Sequence, residues 1–227
     1  MWKIPKIWEG GRCFILGGGA SLPKQFNVPE QLIRDVYVGR KGIDAYSPYL
    51  SSIQDSHIIG VNMAYRFGNW VDCVFWGDDS FLKRESKGLM AYQGIRVSCA
   101  NKLEYPYHRF VKHVLRDRKQ FGLTANEGTV VWNKNSGAAA INLATQLGAK
   151  QIILLGFDMK LDAGSNQHWH KCYSSPVKTV GATFKRHLIG FPAIAEDAKK
   201  LGVEILNCNL DSAIDSFRKV TLKDILE

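Results

Sequence analysis

The chain has 227 residues, 45% of them hydrophobic and 11% aromatic, which excludes a disordered protein and favours one globular domain over residues 1–227. It carries 30 Lys and Arg against 21 Asp and Glu, and this net charge of +9 predicts an anionic partner of unspecified kind. No run approaches the ~18 apolar residues that cross a bilayer, and residues 1–8 lack a secretory pattern, so we expect an intracellular protein.

Six short apolar runs predict β-strands. Each run is hydrophobic throughout rather than alternating, as in a parallel sheet that is covered on both faces. The predicted strands are 13–17, 57–62, 72–76, 95–99, 151–155 and 203–207.

Three helices are predicted between and after the later strands: 135–147, 182–201 with a break at Pro192, and a short one at 221–227. Residues 101–130 are irregular and basic, and we expect an insertion or lid there. The alternation of strand and helix predicts an α/β fold, a single Rossmann-like, doubly wound, mostly parallel sheet with helices on both faces.

The first strand runs directly into a glycine loop, Gly17-Gly18-Gly19-Ala20-Ser21. Glycines let a ligand approach the backbone, and amide groups exposed in such a loop can hold a phosphate. The loop lacks the spacing of the dinucleotide fingerprint and the Gly-Lys-Ser/Thr of a Walker A loop. A tight turn without a ligand is the alternative.

Polar residues follow the next strands at the same predicted sheet edge. Asn62 ends the second strand and could read a base or sugar, whereas Asp78 and Asp79 end the third and could bind a ribose hydroxyl or a metal. Turn closure and helix capping are the alternative roles.

Further candidates lie at the start of the alanine-rich helix and after the fifth strand. The residues Asn135, Ser136 and Gly137 form a helix N-terminus that suits an anion, and Gly156 and Asp158 end the strand that follows.

A polar loop then places His168, Trp169 and His170 over the predicted strand ends. Histidine suits proton transfer near neutral pH, and Lys171 or Tyr173 could contact a leaving phosphate or the acceptor. Half of a metal site and a purely structural loop are the alternatives. No complete metal site is predicted.

These motifs, in this order, resemble a family of phage and prophage proteins of largely unassigned function. More distantly, the chain is similar to the bacterial CMP-sialic-acid-dependent sialyltransferases and to the archaeal-type hydroxymethyldihydropterin pyrophosphokinases. The resemblance to the sialyltransferases implies that the glycine loop and Asn62 contact the nucleotide, that Ser136 contacts the donor, and that His168 or His170 is the general base. Gly18 and Ala20 stand where those enzymes have Asn and Pro.

Basic residues concentrate in two further segments, 101–120 and 178–186, away from the predicted nucleotide site. Three aromatic residues lie within the first segment, Tyr105, Tyr107 and Phe110, a combination that suits nucleic acid. A solvated surface is the alternative. The candidate nucleic-acid contacts are Arg109, Lys112, Arg116, Arg118, Lys119, Lys185 and Arg186.

The sequence therefore predicts a sialyltransferase-like glycosyltransferase of the bacterial host cytoplasm, which moves a sugar from a nucleotide-activated donor to an acceptor hydroxyl. Modified phage DNA is one candidate acceptor and a glycan the other. The alternatives are a Mg²⁺-dependent, pyrophosphokinase-like nucleotide-phosphate transferase and a non-catalytic nucleic-acid-binding phage protein.

Overall fold

The computed structural model describes residues 1–103, 106–172 and 177–227, and gives the backbone alone at residues 108 and 177–180. Eight strands form the main sheet, and every neighbouring pair in it is parallel. The main-sheet strands are β1 (Arg12–Leu16), β2 (His57–Val61), β3 (Cys73–Trp76), β4 (Ile95–Ser98), β5 (Lys112–His113), β8 (Gln151–Leu155), β9 (Glu204–Asn207) and β10 (Arg218–Lys219). Two strands pair separately, β6 (Leu115–Asp117) and β7 (Thr129–Val131).

The order of the main sheet is β10-β9-β8-β1-β2-β3-β4-β5. The chain starts at the centre with β1, builds outward to β5, and then returns to the other side of β1 with β8. The winding therefore reverses between β1 and β8, and in open α/β sheets ligands bind in the crevice at such a point, beyond the carboxyl ends of the strands.

Helices and 3-10 segments cover both faces. The α-helices are α1 (Leu22–Gln25), α2 (Glu30–Tyr37), α3 (Asp79–Ala91), α4 (Ser136–Gln146), α5 (Val177–Leu188), α6 (Phe191–Leu201) and α7 (Lys223–Leu226). The 3-10 segments are Ile43–Ile53, Asn62–Phe67 and Tyr107–Arg109.

Two apolar clusters lie on opposite faces of the sheet, which explains why its strands are apolar throughout. Along β1, Cys13 and Ile15 pack into the cluster that contains α4 and α6, whereas Phe14 and Leu16 pack against the helices between β1 and β4. Each strand residue therefore meets an apolar layer, whichever way it faces.

The predicted fold class and all six predicted strands are confirmed to within one or two residues. The helix predicted over 182–201 is two helices, α5 and α6, which separate at Gly190, and Pro192 stands in the first turn of α6.

The segment 101–130 is less irregular than predicted. It contains β5, which extends the main sheet at its edge, together with β6 and the first residues of β7. In the described ranges of the chain, no helix is long and apolar enough to span a membrane.

Candidate functional site

A cavity of about 670 Å³ lies beyond the carboxyl ends of β1, β2, β3 and β8, and α5 contributes part of its wall. The structure brings most of the predicted nucleotide-site residues to this cavity. The residues among them that line it are Gly17, Gly18, Gly19, Asn62, Asp78, Asn135, Ser136, Gly137, Gly156, Asp158 and His168.

The three loop glycines are required by close packing inside the protein. A Cβ atom at Gly17 would lie 2.6 Å from the carbonyl oxygen of Gly156, and one at Gly18 would lie 2.9 Å from Nδ1 of His168. A Cβ at Gly19 would lie 2.5 Å from Cγ of Asp158. The glycine loop therefore fits against the end of β8 and the histidine loop, and a side chain at any of the three positions would separate these elements.

Asp158 holds the glycine loop in place. Its buried carboxylate accepts hydrogen bonds from the amide of Ser21 (2.9 Å), from the Ser21 hydroxyl, and from Nδ2 of Asn209 (2.8 Å). Asp158 also lines the cavity, but both of its oxygens already accept hydrogen bonds within the protein. Ser21 takes part in this contact, and neither it nor the buried Ala20 lines the cavity.

The N-terminus of α4 opens onto the cavity. The Asn135 side chain caps it by accepting a hydrogen bond from the amide of Ala138 (2.7 Å), and Asn135 Nδ2 donates to the carbonyl of His187 in α5 (3.1 Å). The amides of Ser136 and Gly137, at the positive end of the helix dipole, are then placed to donate to a negatively charged group in the cavity.

His168 lies against the glycine loop with one defined tautomer. Its Nδ1 is 3.1 Å from the carbonyl oxygen of Gly18, which can only accept a hydrogen bond, so Nδ1 carries the proton and Nε2 the lone pair. Burial lowers the pKa of His168 below its usual 6.5, although the contact with Gly18 opposes the shift. The imidazole is therefore neutral at pH 7 and has the protonation state of a general base.

His170 is the less suitable of the two predicted bases. Its ring stacks on His168 with centroids 5.2 Å apart, it is only 3% exposed, and it does not line the cavity. Its Nδ1 accepts a hydrogen bond from the amide of Cys172 (3.3 Å). Burial, the charge that His168 acquires once it is protonated in acid, and the charges of Arg84 and Arg66 lower the pKa of His170 to about 2. His170 therefore orients the loop and its neighbouring imidazole.

Trp169, between the two histidines, anchors the histidine loop. The buried indole donates from Nε1 to the carbonyl of Gly17 (2.9 Å), and the Trp169 amide donates to the carbonyl of Gly18 (3.2 Å). The indole packs on Phe67 with ring centroids 4.7 Å apart. His168 is thus held at a fixed position over the glycine loop.

Asn62 differs from the polar groups of the glycine and histidine loops because its side-chain oxygen accepts no hydrogen bond from the described residues. Its backbone is left-handed (φ 53°), which Asn tolerates better than most residues, and its carboxamide oxygen has no hydrogen-bond partner among the described residues. Such an oxygen costs free energy unless a ligand or a small rearrangement provides a donor.

The cavity is more basic than the sequence predicts. Arg116 and Arg186, predicted as nucleic-acid contacts, line it together with Lys134 and Lys160, which the sequence analysis missed. Arg116 and Arg186, which belong to the two basic segments, therefore lie at the predicted nucleotide site rather than away from it. Lys134 follows β7 in a left-handed turn (φ 65°) that no sequence motif marks.

A second histidine was also missed. His187 of α5 lines the cavity, and burial together with Arg186 and His168 lowers its pKa to about 4. Its position depends on how α5 packs over the sheet, and only the tertiary structure reveals this.

The remaining candidate cations lie outside the cavity lining, on the surface. Arg109, Lys112, Arg118, Lys119 and Lys185 are exposed, and Arg118 donates to Oδ1 of Asn101 (2.7 Å). These five residues are accessible to a large anionic partner.

Lys171, predicted as a phosphate or acceptor contact, does not line the cavity. Lys171 is exposed outside it, with Nζ 6.0 Å from the centroid of the Tyr37 ring. Tyr173 and Tyr105 fall outside the described residues.

The carboxylates considered for Mg²⁺ do not form a common site. Asp158 is engaged by Ser21 and Asn209, and Asp79 accepts a hydrogen bond from the amide of Asn101 (3.1 Å), away from the cavity lining. Asp78 lines the cavity. Within the described ranges, no three His, Cys, Asp or Glu side chains are grouped to hold a metal ion.

The chain is similar in fold to several solved glycosyltransferases. The Maf glycosyltransferase of Magnetospirillum magneticum AMB-1 superimposes on 97% of this chain with a TM-score of 0.57 and 13% identity. This chain spans 35% of the length of that enzyme. The Campylobacter jejuni sialyltransferase CstII in complex with cytidine-5′-monophosphate matches 94% of this chain and 86% of its own, with a TM-score of 0.51 and 14% identity.

A CstII variant bound to CMP gives a TM-score of 0.53 at 16% identity, over 92% of this chain and 86% of the other. No protein-family model matches the chain, and no curated protein matches it in sequence. The chain therefore has a glycosyltransferase-like α/β fold, and these likenesses establish the fold alone.

Proposed function

We propose that the protein is a glycosyltransferase that moves a sugar from a nucleotide-activated donor to an acceptor hydroxyl. The observation that carries the proposal is the position of His168, whose protonated Nδ1 faces Gly18 in the glycine loop. A general base is thereby fixed beside the loop, in a cavity that also contains the N-terminus of α4.

The proposed reaction is a direct displacement. Nε2 of His168 takes the proton of the acceptor hydroxyl, and the acceptor oxygen forms a bond to the anomeric carbon of the sugar. The bond from that carbon to the phosphate oxygen breaks, and the nucleotide leaves with the electron pair. The amides of Ser136 and Gly137 stabilise the charge that develops on the phosphate.

The donor nucleotide and the acceptor are the two finer features of the proposal. A cytidine nucleotide is the first donor to test, because the structural neighbours with a bound nucleotide contain CMP. Modified phage DNA is the first acceptor to test, because exposed cations such as Arg118, Lys119 and Lys185 lie on the two segments that supply cavity residues Arg116 and Arg186. A glycan is the alternative acceptor.

The test compares two matched variants, His168→Asn and His170→Asn. The asparagine amide can replace Nδ1 in its hydrogen bond, as donor to the Gly18 carbonyl at position 168 and as acceptor from the Cys172 amide at position 170. Neither variant carries a basic Nε2. We first screen CMP-, UDP- and GDP-sugars for binding by thermal shift and for nucleotide release by chromatography.

With the donor found, we expect His168→Asn to bind it normally and to lose turnover by about 10²- to 10⁴-fold, the range of general-base catalysis. His170→Asn should retain turnover to within about tenfold, since it acts on the orientation of its neighbour. Equal turnover in His168→Asn and the wild type would refute the assignment, as would the absence of any nucleotide binding.

A further inference from the structure

Arg116 lines the cavity beyond the ends of β3 and β4. It extends from β6 toward the ends of β3 and β4, where its Nε donates to the carbonyl of Cys99 (2.7 Å) and its Nη2 donates to the carbonyl of Gly77. Its Cζ atom lies 4.1 Å from the centroid of the Trp132 ring. The guanidinium is therefore fixed along one edge and on one face.

These contacts leave a specific set of donors unused. A guanidinium has five N–H groups, and the contacts with Cys99 and Gly77 use one on Nε and one on Nη2. Three N–H groups remain, two on Nη1 and one on Nη2. One from each nitrogen points in parallel from the end of the guanidinium. This end-on edge is the one that binds a carboxylate or phosphate through two hydrogen bonds.

The positive charge of Arg116 has no carboxylate partner within 4 Å in the described chain. Asp78 lies in the same cavity but beyond ion-pair distance. A half-buried guanidinium without a direct ion pair is incompletely compensated, and an anionic ligand would compensate it further. Lys134, which also lines the cavity, adds further positive charge.

The position of Arg116 separates it from the glycine loop. Gly77 follows β3, which lies two strand spacings from β1, so roughly 10 Å separates the two strand ends.

We propose that Arg116 forms an oxyanion subsite of the cavity, in which the end-on edge of its guanidinium binds an acidic group of the ligand. The group is a carboxylate on the sugar that is transferred or a further phosphate on the nucleotide. The inference deepens the proposed function, since it makes the ligand an acidic one, but the subsite itself depends only on the geometry of Arg116.

The first test uses inorganic phosphate as the probe and measures thermal stability at constant ionic strength. Phosphate should raise the melting temperature of the wild type, and Arg116→Gln should remove a large part of this response. Arg118→Gln is the matched control, because it removes the same charge two residues away and outside the cavity lining. Arg116→Lys keeps the charge but not the fork, and it should show an intermediate response.

The second test identifies the source of the acidic group. The wild type and Arg116→Gln are titrated calorimetrically with CMP, CDP, CMP-N-acetylneuraminate, and the pair UDP-glucose and UDP-glucuronate. A sugar carboxylate predicts at least about a tenfold loss for the acidic sugar nucleotides and little loss for CMP or CDP. A second phosphate predicts the loss for CDP instead.

The outcomes separate this inference from the proposed function. If phosphate binding depends on Arg116 but no nucleotide binds, the subsite stands and the proposed function fails. If nucleotides bind and Arg116→Gln changes neither the phosphate response nor any affinity, the subsite is refuted. Circular dichroism and the melting temperature in chloride establish that each variant is folded, and a folded Arg116→Lys decides the result if Arg116→Gln does not fold.

Discussion

The two ends of the cavity use their polar groups in opposite ways. At the crevice between β1 and β8, the glycine loop, Asp158 and the histidine loop hydrogen-bond one another. At the far end, beyond β2 and β3, the described residues provide no hydrogen-bond partner for the carboxamide oxygen of Asn62 and no ion-pair partner for Arg116. The crevice end holds His168 in place, whereas the far end has hydrogen-bonding groups that a ligand could use.

A polar residue that the sequence places at a ligand site can therefore stabilise the fold instead of binding the ligand. Asp158 resembles a ligand-binding carboxylate, but its hydrogen bonds go to Ser21 and Asn209. Changes at the crevice end should therefore act on folding stability, and changes at the far end should act on ligand affinity. The following predictions test that division.

The largest effect on stability is expected for Gly19→Ala. The new Cβ would lie 2.6 Å from the Gly156 carbonyl oxygen and 2.5 Å from Asp158 Cγ, so backbone atoms must move apart. We expect a loss of about 3 kcal/mol in the free energy of unfolding, measured by urea denaturation. Gly181→Ala is the control, because a Cβ at this helical position meets nothing within 4 Å, and it should stabilise the protein slightly. Equal stability of the two variants would contradict the close packing at Gly19.

A somewhat smaller loss is expected for Asp158→Asn. The variant replaces one acceptor oxygen by an amide that faces the N–H or O–H of Ser21 or the amide of Asn209, and leaves a buried donor unsatisfied. We expect a loss of about 2–3 kcal/mol by the same measurement. The exposed Asp211, which pairs with Lys160, supplies the control variant Asp211→Asn. A stable Asp158→Asn that fails only in ligand binding would assign Asp158 to the ligand instead.

The pH dependence of stability should report the burial of His170. Its pKa is about 2 in the folded protein and about 6.5 when unfolded, so between these values the unfolded state binds more protons. The stability contributed by the neutral His170 is present above pH 6.5 and is lost as the pH falls toward 2. Between pH 6 and pH 4 we expect His170 to account for a loss of about 2 kcal/mol. Unfolding free energies of the wild type and His170→Asn should therefore converge on acidification, and parallel curves would contradict the prediction.

The smallest effect on stability is expected at the far end, for Asn62→Gly. Glycine accepts the left-handed backbone at this position, and the substitution removes an acceptor that has no partner in the described structure. We expect stability to change by less than about 1 kcal/mol and nucleotide affinity to fall about tenfold, as measured by calorimetry. A variant that loses stability but not affinity would reverse the proposed division.

The sequence predicts the fold well because the local signals agree. Apolar runs mark the strands, and the glycine loop, Asn62, Ser136 and Asp158 mark the strand and helix ends that meet at one sheet edge. What these residues contact there cannot be predicted in the same way. The role of Asp158 depends on Asn209, which is 51 residues away in the sequence, and the choice between His168 and His170 depends on which ring faces the cavity.

The far end is harder still to predict. Arg116 and Trp132 come from β6 and the end of β7, short elements in a segment that reads as irregular. Lys134 enters the cavity because two successive residues, Asn133 and Lys134, adopt left-handed backbone conformations. Neither feature has a local signal in the sequence, so the basic character of the cavity requires the tertiary structure.

A crystal structure of the protein with a nucleotide selected by the binding screen tests the central claim most directly. We expect the nucleotide phosphate to lie within hydrogen-bond distance of the amides of Ser136 and Gly137, with the glycosidic bond facing Nε2 of His168. A nucleotide bound outside this cavity, or one whose phosphate contacts only the exposed cations such as Arg118 and Lys119, would contradict it.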